Sequence, residues 1–181
     1  MACCLSHVLA AEGERTMLID CDIRRRGISR LLDVGPDQPG LIEVLNGMSQ
    51  IDIDDLIRDR VLCVLPLGPK TDAPDNLLTG QAFADLLDKL RPHFDRIILD
   101  LPPILPIAAT RTIACRADAV VLAARWCKTS SFAIRTARSR LSRDLVNVAG
   151  IALNQVDLRK KAFFHREDVS FYYNRYSEYY A

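Results

Sequence analysis

The 181 residues contain no uninterrupted apolar run near the roughly 18 residues that a membrane-spanning helix needs. The longest, Ala119 to Ala124, is of strand length. No charge of one sign dominates: 24 Lys and Arg stand against 23 Asp and Glu, a net charge of +1. Bulk electrostatic binding to nucleic acid or to a membrane is therefore not expected, and no nucleic-acid partner is assigned. Histidine is scarce, at 7, 93 and 165, and the six cysteines at 3, 4, 21, 63, 115 and 127 form no C-x-x-C pair, so a zinc site is not expected. Most of those cysteines lie in apolar surroundings, the pattern of buried thiols in a reducing compartment. The first ten residues lack a basic n-region and a cleavage site and run into Glu12 and Glu14, which argues against a signal peptide. A cytoplasmic protein is the expectation.

What the sequence does contain is alternation. Apolar bursts at Arg15 to Ile19, Val61 to Leu65, Arg96 to Leu99, Ala119 to Ala123 and Val146 to Leu153 read as strands buried on both faces. Segments of helical period lie between them, so the class is α/β, a mostly parallel sheet flanked by helices. Met1 to Glu12 reads as a helix with Leu5, Val8 and Leu9 on its apolar side. Gly80 to Arg91 carries a stripe of Ala82, Phe83, Leu86, Leu87 and Leu90, and Thr129 to Arg143 turns Phe132, Ile134, Ala137 and Leu141 inward and Arg135, Arg138 and Arg143 outward. Cys3 and Cys4 are assigned to the buried face of the first helix.

The pattern stops after Asp157. Residues 1–157 form the expected domain and 158–181 a separate tail, whose last ten residues hold all five tyrosines: Tyr172, Tyr173, Tyr176, Tyr179 and Tyr180. With five Lys or Arg and three Asp or Glu from Arg159 to Ala181, the tail carries about +2. Each phosphate adds roughly −1.5 to −2, so modification of the cluster reverses its sign.

Two strands end alike, T-M-L-I-D at 16–20 and R-I-I-L-D at 96–100. In an open parallel sheet ligands bind beyond the carboxyl ends of the strands, so Asp20 and Asp100 point into one crevice, joined by Asp22 of the D-x-D at 20–22. Three carboxylates at one rim attract magnesium, which takes one or two of them together with waters and substrate phosphates.

Residues 17–26, M-L-I-D-C-D-I-R-R-R, resemble the Walker A′ motif of the bacterial tyrosine kinases of capsular and exopolysaccharide synthesis, and I-I-L-D-L-P-P at 97–103 resembles their Walker B motif. The resemblance extends to G-L-I-E-V-L-N-G at 40–47, L-P-L-G-P at 65–69, G-I-A-L-N-Q-V-D at 150–157 and the tyrosine cluster. It implies a P-loop NTPase-like fold, MgATP as cofactor and ATP-dependent protein-tyrosine (auto)kinase activity. By the same resemblance Asp20 is the candidate base for the tyrosine hydroxyl, Asp20, Asp22 and Asp100 hold magnesium, Arg24 and Asn154 contact the nucleotide, and the five tyrosines are phosphorylated. The implied partners are a membrane polysaccharide co-polymerase or activator and other copies of the chain through the tyrosine tail, with the protein at the inner face of the plasma membrane through that partner.

The family's Gly-rich G-K-[ST] loop and the strand that feeds it do not occur in the 181 residues. That loop supplies amides, a lysine and a hydroxyl to the phosphates, so the expectation is a domain that starts just after it, with impaired activity. Two other readings stay open: a catalytically dead substrate or scaffold derived from such a kinase, and a partition or septum-site ATPase of the same fold.

Overall fold

The computed structural model describes residues 1–32, 39–52, 61–68 and 76–157. The tail at 158–181, with its five tyrosines, lies outside the described residues. Each expected strand is present within a residue or two: β1 (Thr16–Asp20), β2 (Leu62–Leu65), β3 (Arg96–Asp100), β4 (Val120–Arg125) and β5 (Val148–Asn154). The helices are α1 (Ala2–Ala11), α2 (Gly27–Leu31), α3 (Leu41–Leu45), α4 (Gln81–Leu90), α5 (Ala108–Ala114) and α6 (Ser131–Arg143), with a 3-10 turn at Leu77–Thr79. The short α2, α3 and α5 have too few turns to show a period, and the sequence reading did not find them.

All strand pairs are parallel, as crossover helices require. The ladder is interrupted, however: the described strands form a three-stranded sheet in the order β2-β1-β3 and a two-stranded sheet of β4 and β5. The edges of β3 and β4 away from their partners have no strand neighbour among the described residues. Side chains join the two halves, since Leu101 and Ile104 beyond β3 and Val120, Leu122 and Val148 of β4 and β5 all pack against one buried cluster of Ala114, Leu141 and Val146. Arg111 of α5 also reaches Asp144 at the end of α6 through two bonds of 2.6 Å, which fixes the two helices to each other.

The main core lies on one face of the larger sheet. Met17, Ile19, Cys63 and Leu65 point toward Phe83, Leu86, Leu87 and Leu90 of α4, the expected stripe less Ala82, which is exposed. β1 is buried along its whole length, but β4 and β5 alternate between covered and exposed positions, so burial on both faces fails there. Three other expectations fail for similar reasons. In α1 the buried residue is Ser6, while Leu5, Val8 and Cys4 are exposed, because the small side chain allows the helix to approach the sheet closely. Phe132 of α6 is 72% exposed, and only Ala137 and Leu141 of that helix are buried. Of the six cysteines, Cys4, Cys115 and Cys127 are exposed, Cys21 and Cys63 are buried, and none forms a disulfide.

Two loops at the carboxyl side of the sheet are interlocked through glycine. The amides of Leu41 and Ile42 donate to the carbonyls of Pro66 and Leu67, and the Gly40 amide donates to Glu43 Oε2 at 2.9 Å. A Cβ on Gly40 would overlap the Gly68 amide and the Leu67 carbonyl carbon, which are backbone atoms without freedom to withdraw. Gly40→Ala is expected to cost about 1–3 kcal/mol in urea unfolding, as over-packing does.

Candidate functional site

β1 and β3 run side by side in register with Asp20 opposite Asp100, so both carboxyl groups leave the sheet at the same level. The chain after β1 folds back over this point. The Cys21 amide donates to the Asp100 carbonyl at 3.0 Å, and a turn at Asp22 to Arg25 leads into α2. Arg26 adopts a left-handed conformation at the start of α2, and its guanidinium donates to the Gly68 carbonyl.

The three aspartates have different surroundings. Asp20 has no exposed surface, and both of its oxygens are engaged. Oδ2 accepts from the Ser29 amide and from its hydroxyl, each at 2.9 Å, and Oδ1 accepts from the Asp22 amide at 3.2 Å. The Ser29 oxygen in turn accepts from the Leu67 amide at 2.9 Å, which ties β1, α2 and the loop after β2 together. Asp22 is 8% exposed, and its Oδ1 accepts from the Arg25 amide at 3.0 Å. Asp100 is half-buried. Its pKa is raised, first by desolvation, then by the negative charge of Asp20 and more weakly that of Asp22, with the Met1 amino group pulling the other way. Burial first, and then Asp20 and Asp100, push the Cys21 thiol well up, so this cysteine is an inert core residue.

Asp20, Asp22 and Asp100 thus come together at the carboxyl ends of β1 and β3, where the charges of Asp20 and Asp22 act on Asp100. Their roles are not equal. Among the described residues no group of three or more His, Cys, Asp or Glu side chains is placed to hold a metal ion. With the oxygens of Asp20 occupied by internal donors, Asp22 and Asp100 are the carboxylates left for a cation. Two carboxylates fit magnesium, whose shell is otherwise water and substrate phosphate, better than they fit a metal that needs a full protein cage.

Arg24 is exposed beside this turn. Asn154 stands at the end of β5 in the other sheet, where its Oδ1 accepts from the Gln155 amide at 2.8 Å and its carbonyl from the Trp126 amide at 2.9 Å. The sequence reading missed Ser29, because a single serine among arginines and apolar residues gives no spacing signal. The G-L-I-E and L-P-L-G-P segments were noticed, but their interlock with each other and with Arg26 was not.

A carboxyl group whose folded pKa is raised contributes stability in full below the ordinary carboxylate range and loses it as pH rises through the raised value. Asp100→Asn, which stays neutral, is therefore expected to gain in melting temperature over the native chain as pH goes from acid to neutral. Ser29→Ala is expected to cost about 1–3 kcal/mol in urea unfolding, since it leaves the Leu67 amide unpaired and Asp20 with one donor fewer.

No family model matches the sequence. Among curated proteins the chain is similar to the succinoglycan biosynthesis transport protein ExoP of Rhizobium meliloti, 31% identical over 181 residues, covering 96% of this chain and 23% of that protein. It is also similar to the tyrosine-protein kinase ptk of Acinetobacter johnsonii, 30% identical over 155 residues, covering 84% of this chain and 21% of that one. The chain thus spans about a quarter or less of the length of these relatives. Among solved structures, the VpsO kinase domain superposes with a TM-score of 0.77 at 29% identity, over 86% of this chain and 77% of that one. The MgADP complex of the septum site-determining protein MinD from Pyrococcus horikoshii reaches 0.65 at 19% identity, over 84% and 62%, a likeness of fold alone. By these similarities the chain resembles the bacterial tyrosine kinases, and it matches the greater part of a solved kinase domain of that kind.

Proposed function

We propose that these 181 residues are part of a protein-tyrosine kinase domain that acts in capsular or exopolysaccharide synthesis, with MgATP as phosphate donor and the tyrosines at 172–180 as acceptors. The observation that carries this reading is the register of β1 and β3, which sets two carboxyl groups side by side at the carboxyl ends of parallel strands. In this reading Asp22 and Asp100 hold magnesium, and Arg24 and Asn154 contact the nucleotide. Asp20 is a positioning residue, because a carboxylate with no exposed surface and three internal donors has no oxygen directed at a tyrosine hydroxyl.

Bound magnesium supplies charge neutralisation on the phosphates. The chain's own part is to hold the acceptor carboxylates rigid: the Ser29 bridge anchors the turn that carries Asp22, and the ladder to β1 anchors Asp100. The phosphate-gripping loop of this fold supplies further preorganised donors, and loss of even one such donor lowers rates by on the order of 10²–10³. Turnover by these 181 residues alone is accordingly expected to be slow. The partner in this reading is a membrane polysaccharide co-polymerase, which sets the domain on the cytoplasmic side; a relative named as a succinoglycan biosynthesis transport protein supports it. No helix among the described residues is long and apolar enough to cross a membrane.

The partition and septum-site reading is less favoured, since that likeness is confined to the fold. The test is the intact mass of the purified chain after incubation with MgATP. Phosphate added within 158–181, and absent from Asp100→Asn and Asp22→Asn, is the expected result. An unchanged mass in a folded sample overturns the enzymatic reading for this chain and leaves that of a substrate or scaffold.

A further inference from the structure

The charge of this nearly neutral chain is unevenly placed. From Ala119 to Arg143 there is no Asp or Glu, while Arg125, Lys128, Arg135, Arg138, Arg140 and Arg143 all occur there. Outside that stretch 18 Lys and Arg face 23 Asp and Glu, so the rest of the molecule is acidic. The first acid after the stretch, Asp144, is already paired with Arg111.

α6 carries this basic stretch on the outside of the protein. Ala137 and Leu141 are buried, Arg140 donates to the Leu105 carbonyl, and Arg135, Arg138 and Arg143 project from the opposite side, separated by serines. Among the described residues, none of Arg125, Lys128, Arg135, Arg138 or Arg143 forms an ion pair. Two large apolar side chains lie at the two ends of the same helix, Phe132 at 72% and Leu145 at 93% exposure. Solvation accounts for exposed arginines, but it gives no reason for an exposed phenylalanine and leucine beside them. An outward helix face combining basic residues with exposed apolar ones matches the interface of an anionic bilayer, where cations meet headgroups and apolar side chains enter the acyl boundary.

We propose that the outer face of α6 is a docking surface for an anionic lipid membrane, which it meets directly, in addition to any tether through a partner. The helix lies flat, with Arg135, Arg138 and Arg143 on the headgroups and Phe132 and Leu145 inserted at its ends. A phosphorylated peptide or a nucleic acid would satisfy the arginines alone and would leave both apolar residues exposed, so the bilayer is the occupant that the whole face fits. Contact of this kind is independent of the kinase reading, since it needs neither nucleotide nor phosphorylation.

The test is co-sedimentation of the full chain, without nucleotide, with phosphatidylcholine vesicles that contain or lack phosphatidylserine. Binding to the anionic vesicles alone, weakened by salt, is expected. Each basic residue near a charged surface contributes about five-fold in partitioning. Arg135→Glu with Arg138→Glu should therefore lower binding by a factor of ~25 or more. Phe132→Ser should weaken binding without changing its salt dependence, and Lys89→Glu, on the exposed side of α4, should leave it unchanged. Circular dichroism melts of the variants establish that each is folded. Absence of vesicle binding by the native chain, equal binding to both vesicle types, or full binding by the double variant overturns the proposal. So does tighter retention by a tyrosine-phosphorylated tail peptide or by DNA than by the anionic vesicles.

Discussion

The Asp20 carboxylate is the point on which the site depends. It is a charge without exposed surface at the end of a central strand, stable there only because three donors converge on it. Those donors belong to the chain that follows, and in binding Asp20 they set its path. The Asp22 turn and α2 are drawn over the end of β1, and the Ser29 hydroxyl passes the connection to the Leu67 amide. Through Leu67 it reaches the Gly40 loop, whose amides close on Pro66 and Leu67. One buried charge thus orders three loops that share no sequence proximity.

The same charge makes the site electrostatically uncomfortable. Asp20 stands opposite Asp100 in the ladder, and its negative charge adds to the burial that already disfavours the ionised form of Asp100. Sites that await a cation commonly keep such repulsion, because the ion relieves it on binding. The fold tolerates the cost: the buried apolar cluster beneath, from Met17 and Ile19 to Phe83 and Leu90, extends up to Cys21 and Leu67 and supports the rim from below.

Much of this was legible in the sequence. Five strands and the three long helices follow from apolar runs and from periodicity, because burial of a strand or of a helix stripe demands apolar residues at fixed intervals. The aspartates were legible for a related reason: an acid directly after a buried strand can only lie at the sheet's rim. What escaped was whatever depends on which side of an element meets its neighbour. Phe132 was assigned to the interior by hydrophobicity and lies outside, whereas Ser6 is sealed against the sheet. The exposed Leu5 and Val8 had the same apparent claim to burial.

The sequence by itself determined the parallel α/β class, the pairing of the two strand-end acids, the family likeness and the concentration of basic residues between 119 and 143. These are one-dimensional properties, set by residue type and spacing along the chain. The tertiary structure alone decided that the three aspartates are not equivalent. Which carboxylate is sealed and which remains open depends on donors brought from Ser29 and, behind it, from Leu67, 38 residues further on. A hydrogen bond between residues so distant leaves no pattern in the sequence, because only the closed fold brings its donor and acceptor within 3 Å.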